Sequence, residues 1–117
     1  MTYLDFVMVG IGGFCGAITR YVIGGRLNQH NNIPLGTLLV NLVGALLIGV
    51  VFGLALSRPM TLFFASGLAG ALTTFSTLNK ELIELWRNGQ KNQAVGYLLL
   101  TYVGGMVLVA FGYVLAK

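Results

Sequence analysis

Residues 67–78 read GLAGALTTFSTL, with two glycines, three threonines and one serine inside a lipid-grade run. The run extends from about Met60 to Trp86, roughly 27 residues where one straight span needs about 20. Threonine side chains and glycine compete with the hydrogen bonds of a helix backbone. The pattern therefore predicts a break over Gly70–Ser76, flanked by two half-helices. A break frees backbone carbonyls at membrane depth, and lipid cannot satisfy them. Carbonyl ends suit a cation such as Na⁺. Hydroxyls and amides beyond the break suit an anion. The alternative is a simple kink, with the hydroxyls bonded back to carbonyls four residues earlier.

Outward from this stretch the chain stays apolar. Of 117 residues, 56% are hydrophobic and only 9% charged, against roughly 25% charged in a soluble domain. Four apolar segments, at about Tyr3–Gly24, Leu35–Leu56, Met60–Trp86 and Gln93–Leu115, consume most of the sequence. Transmembrane β-strands would alternate apolar and polar residues, whereas these runs are continuous. The fold class expected is an all-α membrane protein, four spans in a single unit of residues 1–117. The connectors RLNQHNNIP, LSRP and RNGQKN are too short for a further domain. The start MTYLDF has no Lys or Arg for a positive leader region, so the first segment is expected to remain as a span. Cys15 is the single cysteine, which excludes a disulfide within the chain.

The seven Lys and Arg give orientation and headgroup contact with membrane lipid. They form no stripe for nucleic acid. Arg20, Arg26, Lys80, Arg87 and Lys91 fall toward one side, Arg58 and Lys117 toward the other. If Arg20 and Lys80 sit in a cavity, the bias nearly vanishes, and such a chain can insert either way.

In GIGGFCGAITRY of the first span, Gly12 and Gly16 have the spacing that lets two helices approach closely. Arg20 follows one turn later, where it either snorkels to headgroups or forms a positive vestibule for anions. In the second span Pro34 suits a helix start. Thr37, Asn41 and Gly44 share one face, and Asn41 makes either an interhelical hydrogen bond or a ligand contact. Gly49 and Gly53 repeat the small-residue spacing. In the third, Lys80 and Glu84 pair at i, i+4, and Asn88-Gly89 ends the helix. In the fourth, Tyr97, Thr101 and Gly105 make a second polar stripe.

No Asp or Glu lies deep in the first, second or fourth span; Glu81 and Glu84 lie toward the end of the third. His30 is alone in a polar loop, and no metal cluster or nucleophilic set is present. These residues offer an enzyme little to work with. They offer a path of weak neutral donors, together with the positive ring edge of Phe75. Weak donors suit fast passage, because a fixed charge would trap an ion. A four-helix core is filled by its own side chains, so a conduit forms between subunits.

GGFCGAITRY, GTLLVNLVG and GLAGALTTFST together resemble the Fluc (CrcB) family of bacterial fluoride channels, across all four spans. The resemblance implies an antiparallel, dual-topology dimer in the bacterial plasma membrane, with two fluoride pores. It implies a central Na⁺ held by main-chain carbonyls of Gly70 and Thr73 from both subunits. Asn41 and Phe75 match pore residues, Ser76 and Thr77 the hydroxyls that continue the path, and Tyr97 and Thr101 a polar track. Thr37 joins the pore set through its face with Asn41. Arg20 matches a vestibule arginine and Glu81 a polar residue beside the pore. The family pattern FSTF becomes FSTL here, so Leu78 replaces a second pore phenylalanine. Either the chain conducts as a homodimer with one ring per pore, or it requires a paralogous partner. A passive pore suffices for export, because a membrane potential negative inside drives the anion out. The competing functions are a small dual-topology drug exporter, which would want a deep carboxylate in the first span, and a non-transporting scaffold.

Overall fold

Glycine placed against bare backbone decides how the spans lie together. The computed structural model describes residues 2–27, 35–73 and 75–117, with the side chains of 24–27, 35 and 75 outside that description. The expectations for His30 and Pro34, and Thr74 within the expected break, therefore lie outside the described residues. Those residues form helices α1 (Tyr3–Leu27), α2 (Leu35–Leu54), α3 (Arg58–Thr61), a π-helical stretch (Leu62–Ala69), α4 (Gly70–Leu72), α5 (Phe75–Arg87) and α6 (Lys91–Ala116). No strand occurs among them. Four runs are long and apolar enough to cross a membrane: Tyr3–Ile23, Gly36–Leu54, Arg58–Arg87 and Lys91–Ala116. The outer faces agree, with Phe14, Tyr21, Met106, Val107 and Val114 all exposed. The long axis is 49 Å, close to the 40–45 Å of a bilayer with its headgroups. The chain is a multi-pass membrane protein.

The most extensive pairing joins α2 to α6. A Cβ on Gly49 would fall on the Val109 carbonyl, and one on Gly53 would lie 2.6 Å from the Tyr113 carbonyl oxygen. Gly112 answers from the other side, where a Cβ would lie 2.8 Å from the Leu46 oxygen and 3.0 Å from the Val50 nitrogen. Residue numbers rise together along this seam, so the two helices are parallel. A second parallel seam joins α1 to the third span. Gly12 abuts Phe63, Gly16 abuts Leu68, and a Cβ on Gly67 would lie 2.7 Å from the Val9 oxygen. Only glycine lets backbones approach this closely in lipid.

Along Leu62–Ala69 the structure departs from the ordinary helix the sequence predicts for Met60–Leu68. Residues LFFASGLA carry no local mark of a wider winding. The π turns lie against the α1 glycines.

The α5 helix is amphipathic. Leu78 and Leu85 are buried, with Leu82 half-buried beside them, whereas Lys80, Glu84 and Arg87 face out. Its end uses Gly89, at φ +81°. The Gln90 N–H donates to the Leu85 oxygen at 2.9 Å and the Gly89 N–H to the Trp86 oxygen at 3.2 Å. These are the two hydrogen bonds of a Schellman cap, which satisfy carbonyls left open by the helix end.

Candidate functional site

The α2–α6 seam opens on one side into a groove of about 650 Å³. Its wall is mostly apolar, with Ala45, Gly49 and Met106 among the lining residues, and Asn41, Thr73 and Thr101 supply polar groups. Asn41 comes from α2, Thr101 from α6, and Thr73 follows α4. Gly44 explains how Thr73 reaches this wall: a Cβ there would fall on the Thr73 methyl group.

Thr73 itself has φ −78° and ψ 154°, an extended conformation between α4 and the start of α5. Its N–H and its hydroxyl both donate to the Ala69 oxygen, each at 3.0 Å. That uses the hydroxyl proton on the preceding turn, while the extended ψ turns the Thr73 carbonyl out of helical register. Gly70, one helical turn earlier, is exposed.

A second polar group adjoins the groove. Tyr97 is completely buried and its hydroxyl donates to Glu81 Oε1 at 3.4 Å. Thr37, also buried, lies beside both. Three elements meet here: α2 brings Thr37, α5 brings Glu81 and α6 brings Tyr97. One turn along α6, the buried Thr101 donates its hydroxyl to the Tyr97 carbonyl oxygen at 2.8 Å. Thr101 thus belongs to the groove wall and touches the Tyr97 backbone.

Leu78 lies between the two groups. It lines the groove, is 2% exposed, and packs in one core with Leu38, Leu85, Ala94 and Tyr97.

Of the residues singled out from the sequence, Asn41, Thr73, Leu78 and Thr101 share the groove, and Thr37 lies beside the hydrogen-bonded Glu81 and Tyr97. Ser76 is exposed and Thr77 half-buried on the first turn of α5. Phe75 begins that helix, and its side chain is outside the described residues. Arg20 is half-buried on α1 and does not line the groove.

Sequence reasoning missed one polar pair. Asp5 is 2% exposed, and Arg58 donates to Asp5 Oδ2 through Nε at 3.1 Å and through Nη2. The Thr2 N–H adds a third donor to Asp5 Oδ2 at 3.0 Å. The signal available was topological: the first and third spans begin on the same membrane side, which places Asp5 and Arg58 at one level. The pair ties α1 to α3 and lies away from the groove.

Residues 7–113 match the family model described as CrcB-like protein, Camphor Resistance (CrcB). The chain is 42% identical over 113 residues to "Fluoride-specific ion channel FluC 2" of Lactobacillus delbrueckii subsp. bulgaricus, covering 93% of this chain and 95% of that protein. It is 40% identical over 116 residues to "Fluoride-specific ion channel FluC" of Methanocaldococcus jannaschii, covering 96% and 94%. It is 45% identical over 100 residues to "Fluoride-specific ion channel FluC 1" of Streptococcus pneumoniae, covering 86% and 89%. With the match running through all four spans, the chain belongs to the CrcB family.

Proposed function

We propose that residues 1–117 form one subunit of a fluoride-selective passive channel that exports fluoride across the bacterial plasma membrane. The observation that carries this reading is the placing of a few polar groups along a mostly apolar groove. Asn41, Thr73 and Thr101 line the groove, and the Thr37–Glu81–Tyr97 group adjoins it. Neutral amide and hydroxyl groups take the place of water around a small anion and release it quickly. Thr101 has its proton on the Tyr97 carbonyl, so rotation about χ1 turns that donor toward a passing ion.

The groove is open along its length and mostly apolar, which suits closure by an antiparallel second copy. In that arrangement the third span works as a broken helix, with the extended Thr73 as its interruption. The donor chemistry there fits a structural Na⁺. Thr73 lines the groove and its backbone is extended, and among the described residues no cluster of His, Cys, Asp or Glu competes for the ion. Gly70 and Thr73 of two copies would hold it, and its charge would offset carbonyl dipoles brought together at membrane depth.

A second reading rests on Leu78. Because that side chain is packed into the protomer core, the chain would instead depend on a paralogous subunit to supply a complete aromatic path.

The test is fluoride efflux from liposomes holding this chain alone, followed with a fluoride electrode and a chloride control. Fast, fluoride-selective efflux is the expected result. Asn41→Ala and Phe75→Ile should each lower it sharply with the dimer intact. No efflux from folded dimers would favour the paired-subunit reading. Chloride flux equal to fluoride flux would overturn selectivity.

A further inference from the structure

A second groove, of about 290 Å³, lies between α5 and α6 at the end opposite the Asp5–Arg58 pair. Leu82, Ile83, Trp86, Val95 and Leu98 form its wall, and Arg87 stands at its rim. Ile83 and Trp86 are each about half exposed. Beside the rim, the Lys91 ammonium lies 4.9 Å from the centre of the Trp86 ring. The cap at Gly89 turns the chain between them, so Arg87 ends one helix and Lys91 begins the next on either side of the same turn. Glu84, one turn before Arg87, does not line the groove.

This corner lies where two membrane spans end, Arg58–Arg87 and Lys91–Ala116. At that depth tryptophan sits among headgroups, and basic side chains reach up to them. An apolar trough leading to two cations at headgroup level matches one kind of molecule. We propose that the α5–α6 corner binds an anionic phospholipid. One acyl chain lies along Leu82, Ile83, Val95 and Leu98, and the phosphate is held between Arg87 and Lys91. Trp86 forms both the floor of the trough and the platform for Lys91. A free anion finds no enclosed polar cage here, because the site is mostly apolar wall; the acyl chain supplies the missing contact.

The test uses the full chain, purified in detergent and stripped of lipid. It is offered phosphatidylglycerol and phosphatidylcholine of matched chains in equal amounts, and the retained lipid is counted by native mass spectrometry. Wild type should prefer phosphatidylglycerol by about fivefold per basic side chain. Arg87→Gln with Lys91→Gln should bring the two lipids to parity. Val95→Trp, which fills the trough and keeps both cations, should also lower retained phosphatidylglycerol. Should the double variant fail to fold, Lys91→Gln alone, at an exposed position, should halve the preference or more. An undiminished preference in these variants would overturn the proposal. So would displacement of the lipid by inorganic phosphate, which would mark a free-anion site. Loss of dimer mass in Val95→Trp with lipid retention unchanged would assign the groove to a second copy and overturn it too. The readout is independent of fluoride flux, so the two proposals stand or fall separately.

Discussion

Leu78 touches the core cluster and the groove wall at once, and a change there is felt first as packing. With 2% of its surface exposed, it has little room for a ring. Leu78→Phe should destabilise the protein by about 1–3 kcal/mol through overpacking, measured as a lower midpoint of thermal unfolding in detergent. An unchanged midpoint would mean that the ring escapes into the groove. The residues beside it differ in how far their spacing announced them. Asn41 and Thr37 one turn apart, and Tyr97 and Thr101 one turn apart, were legible because helical periodicity alone puts each pair on one face. That the two faces meet at Glu81 was not legible, since it depends on how α5 folds back onto α6. Asp5 and Arg58, 53 residues apart, were missed for the same kind of reason. An ion pair between spans far apart in sequence leaves no periodic trace. Back-bonding of a hydroxyl to the carbonyl four residues earlier is the kink alternative at the break, and Thr73 makes that bond. It occurs at Thr73 together with extended backbone, so a hydroxyl can serve the helix and still stand on the groove wall.

Between helices, the decisive objects are the two parallel seams. Their small-residue spacings, Gly12 with Gly16 and Gly49 with Gly53, were readable, because close approach in lipid has few other solutions. Which helix each seam would meet was not readable. Gly112 and Gly67, the answering glycines, are followed four residues later by alanine, Ala116 and Ala71, a weaker mark than paired glycines. Gly49→Ala and Gly112→Ala should each cost about 1–3 kcal/mol, since the added carbon meets backbone that cannot rotate away. Gly96→Ala, with nothing within 4 Å of the added carbon, should be neutral or stabilising by up to about 1 kcal/mol from helix propensity. Thermal unfolding of the three variants side by side checks this. Equal losses at all three would make the seams irrelevant and helix length the controlling factor. The π winding at Leu62–Ala69 was illegible. Its residues carry no local mark of it, and its surface packs against α1.

For the whole molecule, composition settled the solvent, and the number of spans followed from length. Orientation remained open, because basic residues are too few to commit the chain. An antiparallel dimer requires both orientations. In a Cys15→Ser background, Asn88→Cys places a thiol on the exposed turn after α5. A membrane-impermeant maleimide added to intact cells should label roughly half of the molecules if the topology is dual. Complete labelling, or none, would assign a single orientation and point to a partner inserted the other way. The α2–α6 seam has a further consequence, in the order of biosynthesis. The helix that α2 fits most closely, α6, is made only after the whole third span. When α2 enters the membrane, Gly49 and Gly53 face lipid, and they stay so while some forty residues of the third span and its flanking turns are translated. The α2–α6 seam therefore closes only once α6 has followed the third span into the membrane. A ribosome that stalls before Gly112 leaves a chain with its glycine strip uncovered, a defect that membrane proteases can read without any knowledge of what the finished protein conducts.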